Sequence, residues 1–387
     1  MTSNTVIDRF IRYTAFETTS SETSGTHPSS PGQWKLARHL QAELASIGLA
    51  DIHLSEHCYL YARLPGNTKR RLPSIGFIAH LDTSPEVSGK NVKARIVEVN
   101  GEQRICSDGT TLLGADDKAG IAAIVTACAQ LAQHPEIEHG DLWVAFTPDE
   151  EIGEGTLLFD RERFRVDWAY TVDGGGLGEL SFENFNAASA VFEIYGVNYH
   201  PGYAKGKMKN ALLIASQLMQ NLSDEIPENT EDRKGFYHLH RVEGGVEHAR
   251  LCYLIREFDE EEFDKKKRFV RFLANSINTQ FGEGTCQLEL HDQYHNMRRV
   301  MEQYPEAVRL AQKAMRSIGV TPDIQPIRGG TDGAMLSEKG LPCPNLFTGG
   351  VNFHSRDEYI PVKSLEKAAE TLLAIVACAC DAPSDCS

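Results

Sequence analysis

Four short apolar runs constrain this chain more than any other feature: SIGFIAH (74–80), DLWVAFT (141–147), DWAYTVD (167–173) and LPCPNLFT (341–348). A strand with one wet face alternates apolar and polar residues. These runs do not alternate, so both of their faces must be covered. Between the first two lies KAGIAAIVTACAQLAQH (118–134), a helix rich in Ala and Ile. Upstream, QWKLARHLQAELASI (33–47) carries apolar residues at three-to-four spacing and is closed by Gly48, as an amphipathic helix is. Apolar strands separated by helices predict an α/β fold, with helices on both faces of the sheet.

From about Ala187 the pattern changes. ASAVFEIYG is an alternating strand and KMKNALLIASQLMQNL a helix. RVEGGVEHARLCYLIREFD reads as two strands joined near GGVEH, DEEEFDKKKRFVRFLANSINTQFG as a charged helix, and TCQLELHDQY as a further strand. That βαββαβ order matches a ferredoxin-like α+β unit. The α/β pattern resumes with YPEAVRLAQKAMRSIG and ends in the helix SLEKAAETLLAIVACAC. The chain therefore reads as one discontinuous domain, 1–185 and 297–387, with residues 186–296 inserted.

The 54 Asp and Glu residues outnumber the 39 Lys and Arg, a net charge of −15. Such a surface repels phosphate backbones and anionic headgroups, which argues against nucleic acid and membranes as partners. No apolar run approaches the ~18–20 residues that span a bilayer. The N-terminus lacks a basic start followed by an apolar stretch, so a cytoplasmic protein is expected. Nine cysteines without a CxxC, Cys378-x-Cys380 and Cys386 among them, read as reduced thiols rather than zinc fingers or a disulfide framework.

His or acidic residues stand at or just beyond five strand or turn ends. His80 and Asp82 sit at i, i+2 spacing, so both project from one face. Asp116 and Asp117 occupy the turn LLGADDKAG; Asp149, Glu150 and Glu151 close DLWVAFTPDEE; Asp173 precedes a triple glycine; and His354 follows PNLFTGGVNF. Singly, each has a plain reading as a polar pair, a solvated turn or a loop. Together they resist it, because open α/β sheets bind ligands at the carboxyl ends of their strands and imidazole with carboxylate suits zinc. Two other chemistries fall away. Gly202-x-x-x-Gly206-Lys207-Met208 is one residue short of a phosphate loop and lacks its Ser or Thr, and no GxSxG nucleophile elbow is present. Metal-assisted hydrolysis remains.

The segments AHLDTSPEVSGKNV, TLLGADDKAG, FTPDEEIG, YTVDGG, FENFNAAS, HPGYAKGKMKNA, RGGTDGA and GLPCPNLFTGG resemble the peptidase T family of tripeptide aminopeptidases, within the wider two-zinc exopeptidases and deacylases. The resemblance runs from GQWKLARHL to IPVKSLEKA, in order. It implies a zinc-exopeptidase-like catalytic domain with an inserted lid, and two Zn2+ ions per subunit, for which Co2+ and Mn2+ are alternatives. By resemblance His80 and Asp173 bind one zinc, Glu151 and His354 the other, and Asp116 bridges them. Glu150 is the general base, Asp82 orients His80, and Asp149 is structural. His200 stabilises the oxyanion, Arg256 and Arg328 grip the substrate carboxylate, and the Asp116–Asp117 peptide bond is cis. Tripeptides are the expected substrates, and a homodimer through the lid is the candidate assembly. A dipeptidase or N-acyl-amino-acid deacylase of the same family could share every ligand. The segment between Asp82 and Asp116 is shorter than in enterobacterial members.

Overall fold

A computed structural model describes residues 4–381, among which no helix is long and apolar enough to cross a membrane. The tail with Cys386 lies outside the described residues, and the eight described cysteines are all free. The strands are β1 (Ala50–Leu54), β2 (Leu60–Leu64), β3 (Ile75–His80), β4 (Arg95–Val99), β5 (Glu102–Cys106), β6 (Leu142–Thr147), β7 (Trp168–Gly174), β8 (Glu179–Ser181), β9 (Asn186–Tyr195), β10 (Phe236–Gly244), β11 (His248–Glu257), β12 (Cys286–Tyr294), β13 (Asp323–Ile324), β14 (Asn345–Phe347) and β15 (Tyr359–Pro361). The helices are α1 (Val6–Thr14), α2 (Pro31–Ile47), α3 (Ala115–Gln133), α4 (Ala211–Asn221), α5 (Glu260–Phe281), α6 (Arg298–Met301), α7 (Pro305–Ser317), α8 (Asp332–Glu338) and α9 (Val362–Cys380).

The chain forms two compact units. The larger comprises the described residues up to Phe182, Met297–Gln325 and those from Thr331 onward; the smaller comprises Glu183–Asn296 and Pro326–Gly330. In the larger unit a mixed sheet runs β1-β2-β6-β3-β7-β14-β8-β13. Its centre is parallel: β3 pairs with β6 and β7, and β14 pairs with β7. Every residue of β3 and β6 is buried, as uninterrupted apolar runs require. Helix α3 packs on β3 and β7, with α1 and α9 beside it. On the opposite face Ile78, Trp143 and Ala145 pack with Phe164, Leu336 and Leu341.

The parallel register brings the strand ends level. His80 pairs with Thr147, and Ile78 with Thr171, which puts His80 beside Asp173 two residues further on. Helix α3 approaches β7 closely because Gly120 has no side chain; a Cβ there would stand 2.0 Å from the Val172 carbonyl oxygen and 2.4 Å from Asp117 Oδ1. Asp116 and Asp117 have non-helical backbones at the head of α3, and the bond between them is cis, as the resemblance implies.

The smaller unit is a four-stranded antiparallel sheet ordered β10-β11-β9-β12, the ferredoxin-like arrangement expected from βαββαβ. Its core gathers Phe192, Ile194, Leu251, Phe263 and Val270. Helix α5 starts where Asp259 caps the Glu262 N–H at 3.0 Å, and three glutamates in its first turn complement the helix dipole. One boundary differs from the sequence reading. Pro326–Gly330 belongs to this unit, because the Phe185 N–H donates to the Ile327 carbonyl at 3.1 Å and the Ile327 N–H to that of Glu183 at 2.8 Å. Arg328 therefore sits in the smaller unit, not in the domain of the strand-end acids.

Candidate active site

At the carboxyl edge of the central strands, the larger unit assembles the acids and histidines that the sequence scatters over 275 positions, from His80 to His354. Asp116 is the hub. Its Oδ1 lies 2.8 Å from His80 Nε2, and its Oδ2 lies 3.2 Å from His354 Nε2. His80 Nε2 is also 3.4 Å from Asp173 Oδ1, and His354 Nε2 is 2.9 Å from Glu151 Oε2. Glu150 joins His80 and Asp173 in a second group whose donor atoms all lie within 4.8 Å of one another.

The three consecutive acids separate because Asp149 adopts a left-handed backbone (φ 56°) that turns Glu150–Ile152 into a short 3-10 helix. Asp149 faces away from the cluster. Its carboxylate accepts from the Ser29 N–H at 2.7 Å, Ser29 Oγ at 2.5 Å and Gln33 Nε2 at 2.6 Å, and lies 3.2 Å from His27 Nδ1. With its lone pairs occupied in this way it braces the turn. Asp82 holds the turn's other end, accepting the Glu150 N–H at 3.0 Å and the Glu151 N–H at 3.1 Å. The same carboxylate lies 3.3 Å from His80 Nδ1.

The electrostatics record a crowd of buried negative charge. Burial, followed by the Asp116 charge, pushes Glu151 up to about 7 and Asp173 up to about 8. Burial and the Asp173 charge raise Glu150 well above the carboxylate range. Burial also works against the charge on Asp116, but hydrogen bonds from His354 and His80 hold it well below that range. Hydrogen bonds to Asp116 and Glu151 lift His354 to about 11. Buried like charges persist only when paired with cations. Glu151 Oε1 is buried without a hydrogen-bond partner, an atom left over for a further ligand. A tetrahedral ion ~2.0 Å from N and O donors keeps those donors roughly 3.3 Å apart, close to the separations seen here. The donor set fits divalent metal.

The other expected site residues lie in the smaller unit. His200 is exposed, and its Nδ1 accepts the Gly202 N–H at 3.2 Å. Arg256 is half-buried; its Nη1 donates to Gln293 Oε1 at 3.0 Å, and its guanidinium lies 5.3 Å from the Tyr294 ring centre. Arg328 lies against a neighbouring turn. Its Nη1 donates to the carbonyls of Asp232 at 2.5 Å and Lys234 at 3.1 Å, and its guanidinium packs over Phe185 and Phe236. It braces the 230–234 turn, a role invisible in RGGTDGA.

Three buried acids have supporting roles that the sequence reading did not assign. Asp117 accepts the His80 N–H at 3.1 Å and the Gly120 N–H at 3.2 Å, tying β3 to α3. Asp332 accepts Thr147 Oγ1 at 2.7 Å, and burial raises it to about 6. Glu358 accepts four backbone amides. Asp332 falls in the quoted GGTDGA; nothing local marked Asp117 as different from its neighbour, or Glu358 as more than a loop acid.

The model of Peptidase family M20/M25/M40 matches residues 76–377. The chain belongs to peptidase family M20/M25/M40. This M20 chain is 50% identical to a Peptidase T of Caldanaerobacter subterraneus subsp. tengcongensis, over 96% of this chain and 98% of that one. It superposes on the aminopeptidase PepT from Bacillus cereus with a TM-score of 0.82 at 26% identity, covering 97% and 98% of the two chains. At 14% identity it also shares its fold with Bacillus subtilis YXEP, described as a dinuclear metal binding peptidase, with a TM-score of 0.69 and 96% of each chain covered. The M20 chain is a peptidase, and the mixed sheet with a separate ferredoxin-like unit is the M20 fold.

Proposed function

We propose that this M20 peptidase is a two-zinc aminopeptidase that releases the N-terminal residue of tripeptides. One observation carries the metal reading: Asp116 offers one carboxylate oxygen to each of two histidines, 2.8 Å from His80 and 3.2 Å from His354. The tripeptide substrate rests on likeness to Peptidase T relatives. His80 and Asp173 would hold one ion, Glu151 and His354 the other, and Asp116 would contribute to both. When bound, the ions supply Lewis acidity and lower the pKa of the attacking water toward ~7. Glu150 takes the proton from that water and returns it to the leaving nitrogen. Asp82, which reaches both His80 and the Glu150–Glu151 amides, keeps the base and the ligands in one frame. The test is a panel of di-, tri- and tetrapeptides with free and blocked termini. Preferential cleavage of free tripeptides is expected; preference for dipeptides or N-acyl amino acids would move the assignment to a dipeptidase or a deacylase.

His200 has the tautomer needed to donate to an oxyanion. Because Nδ1 accepts the Gly202 N–H, the neutral ring carries its proton on Nε2. Removing such a donor costs ~10²-fold in kcat, so His200→Ala is expected to lose roughly that while its zinc content stays at the wild-type value. An unchanged kcat would leave His200 as the cap of its turn.

Arg256 is the stronger candidate for the substrate carboxylate. Among the described residues no carboxylate pairs with it, and the neighbouring Glu257 lies instead 3.6 Å from Lys266. A half-buried guanidinium without an acid partner can take a bound carboxylate, which it grips as a planar fork that lysine cannot copy. Arg256→Lys is expected to raise KM for tripeptides about tenfold, a loss of ~1.4 kcal/mol, and to flatten the preference over C-terminal amides. Equal KM shifts for free acids and amides would remove the role.

A further inference from the structure

Glu358 is almost fully buried, yet it touches neither histidine of the site. Its Oε2 accepts the N–H groups of Leu113 at 2.7 Å and Gly114 at 2.9 Å; its Oε1 accepts those of Ala115 at 2.7 Å and Asp116 at 3.2 Å. Four consecutive amides thus converge on one carboxylate. The convergence requires Gly114 in the left-handed region (φ 82°) and ends on the residue that spans the two histidines. Lys118, buried beneath the same turn, supplies a nearby positive charge and donates to the Phe16 carbonyl at 2.6 Å.

The clamp is anchored from outside the turn. Tyr359 follows Glu358 and begins β15, which pairs with β5 through Tyr359 opposite Cys106 and Ile360 opposite Ile105. Tyr359 also exchanges two backbone hydrogen bonds with Val351, at 2.9 and 3.1 Å, closing the base of the loop 352–358. His354 projects from that loop with a left-handed backbone (φ 58°). One loop therefore holds Asp116 twice, by its backbone through Glu358 and by its side chain through His354.

We infer that Glu358 is the positioning residue of the metal centre: by gathering the amides of 113–116 it fixes Asp116 between His80 and His354 before any metal binds. The metal part of this inference rests on the two-metal reading; the hold on the turn does not. A carboxylate suits the task because it accepts at both oxygens and carries the charge that four N–H dipoles favour. Glutamine has one acceptor oxygen, and its amide group would confront the remaining N–H donors. Outer-shell partners of metal ligands are typically worth ~10–100-fold in metal affinity.

Hydrogen exchange of the full chain, stripped of metal by chelation and then reloaded with zinc, provides the test. In the stripped wild type, amides 113–116 should already be protected and change little on adding zinc. In Glu358→Gln they should exchange at least ~10-fold faster, since charge-assisted bonds are lost and the turn opens locally. Zinc affinity, measured by competition with a chromogenic chelator, should fall ~10–100-fold. At saturating zinc, KM should stay at the wild-type value, so that the defect is one of metal loading. Glu358→Asp, which keeps the charge on a shorter arm, should recover part of the zinc affinity. Protection of 113–116 in the wild type only after zinc is added would mean that the metal orders the turn, and would overturn the inference without needing a folded variant. Zinc affinity of a folded Glu358→Gln within twofold of wild type would overturn it equally. Should the wild type take up no zinc, the two-metal reading fails, while the exchange difference still decides whether Glu358 holds the turn.

Discussion

Replacing Glu150 by Gln is expected to lower kcat by between ~10² and ~10⁴-fold while leaving the metal content at the wild-type level, the range general acid–base catalysis contributes. Glu151→Gln is expected instead to lose metal. The contrast is sharp because the two residues are adjacent and their backbone N–H groups are held alike by Asp82, at 3.0 and 3.1 Å. Their side chains differ. Glu151 faces His354 at 2.9 Å and has a second oxygen buried without a partner, the features of a ligand. Glu150 lies near His80 and Asp173, so distance alone would let it ligate as well. Electrostatics do not separate the two: burial and the Asp173 charge raise Glu150, just as burial and the Asp116 charge raise Glu151. Metal analysis of both purified variants beside steady-state rates separates the roles. Equal metal loss in the two would make Glu150 a ligand and leave the base unassigned.

The division of legible from illegible follows sequence separation. Strands β3, β6 and β7 were visible because a sheet covered on both faces demands unbroken apolar runs, and the acids that end them stand out against that background. The βαββαβ unit was visible because each of its strands is long and its helices are amphipathic. Strands β4 and β5, RIVEV and EQRIC, were not, since short, largely exposed strands with charges carry no burial signal. Their order comes from β15, far along the chain. The same limit hid the supports of the site. Asp149 meets Gln33 across 116 positions, and Glu358 meets the 113–116 turn across 242 or more. Such contacts depend on where the sheet places two loops, and no local pattern encodes that. The contacts of Arg328 with the Asp232 and Lys234 carbonyls are likewise absent from its local motif.

Asp116 is the residue whose loss should cost most. Wild-type protein stripped by chelation and titrated with zinc is expected to take up two equivalents, and Asp116→Asn at most one tightly. Asparagine keeps the shape but has a single acceptor oxygen, so it cannot face His80 and His354 with one carboxylate oxygen each, as Asp116 does. It also removes the negative charge that, with Glu151, sustains His354. Lewis-acid stabilisation is worth several kcal/mol and each ~1.4 kcal/mol is tenfold, so kcat should fall by at least ~10³. Stability supplies a readout independent of turnover. Ligands that bind only the folded state raise the melting temperature, and zinc should raise that of the wild type more than that of Asp116→Asn. Full activity of the wild type at one tightly bound equivalent would sink the bridging role. Two tight equivalents in Asp116→Asn with undiminished activity would do the same.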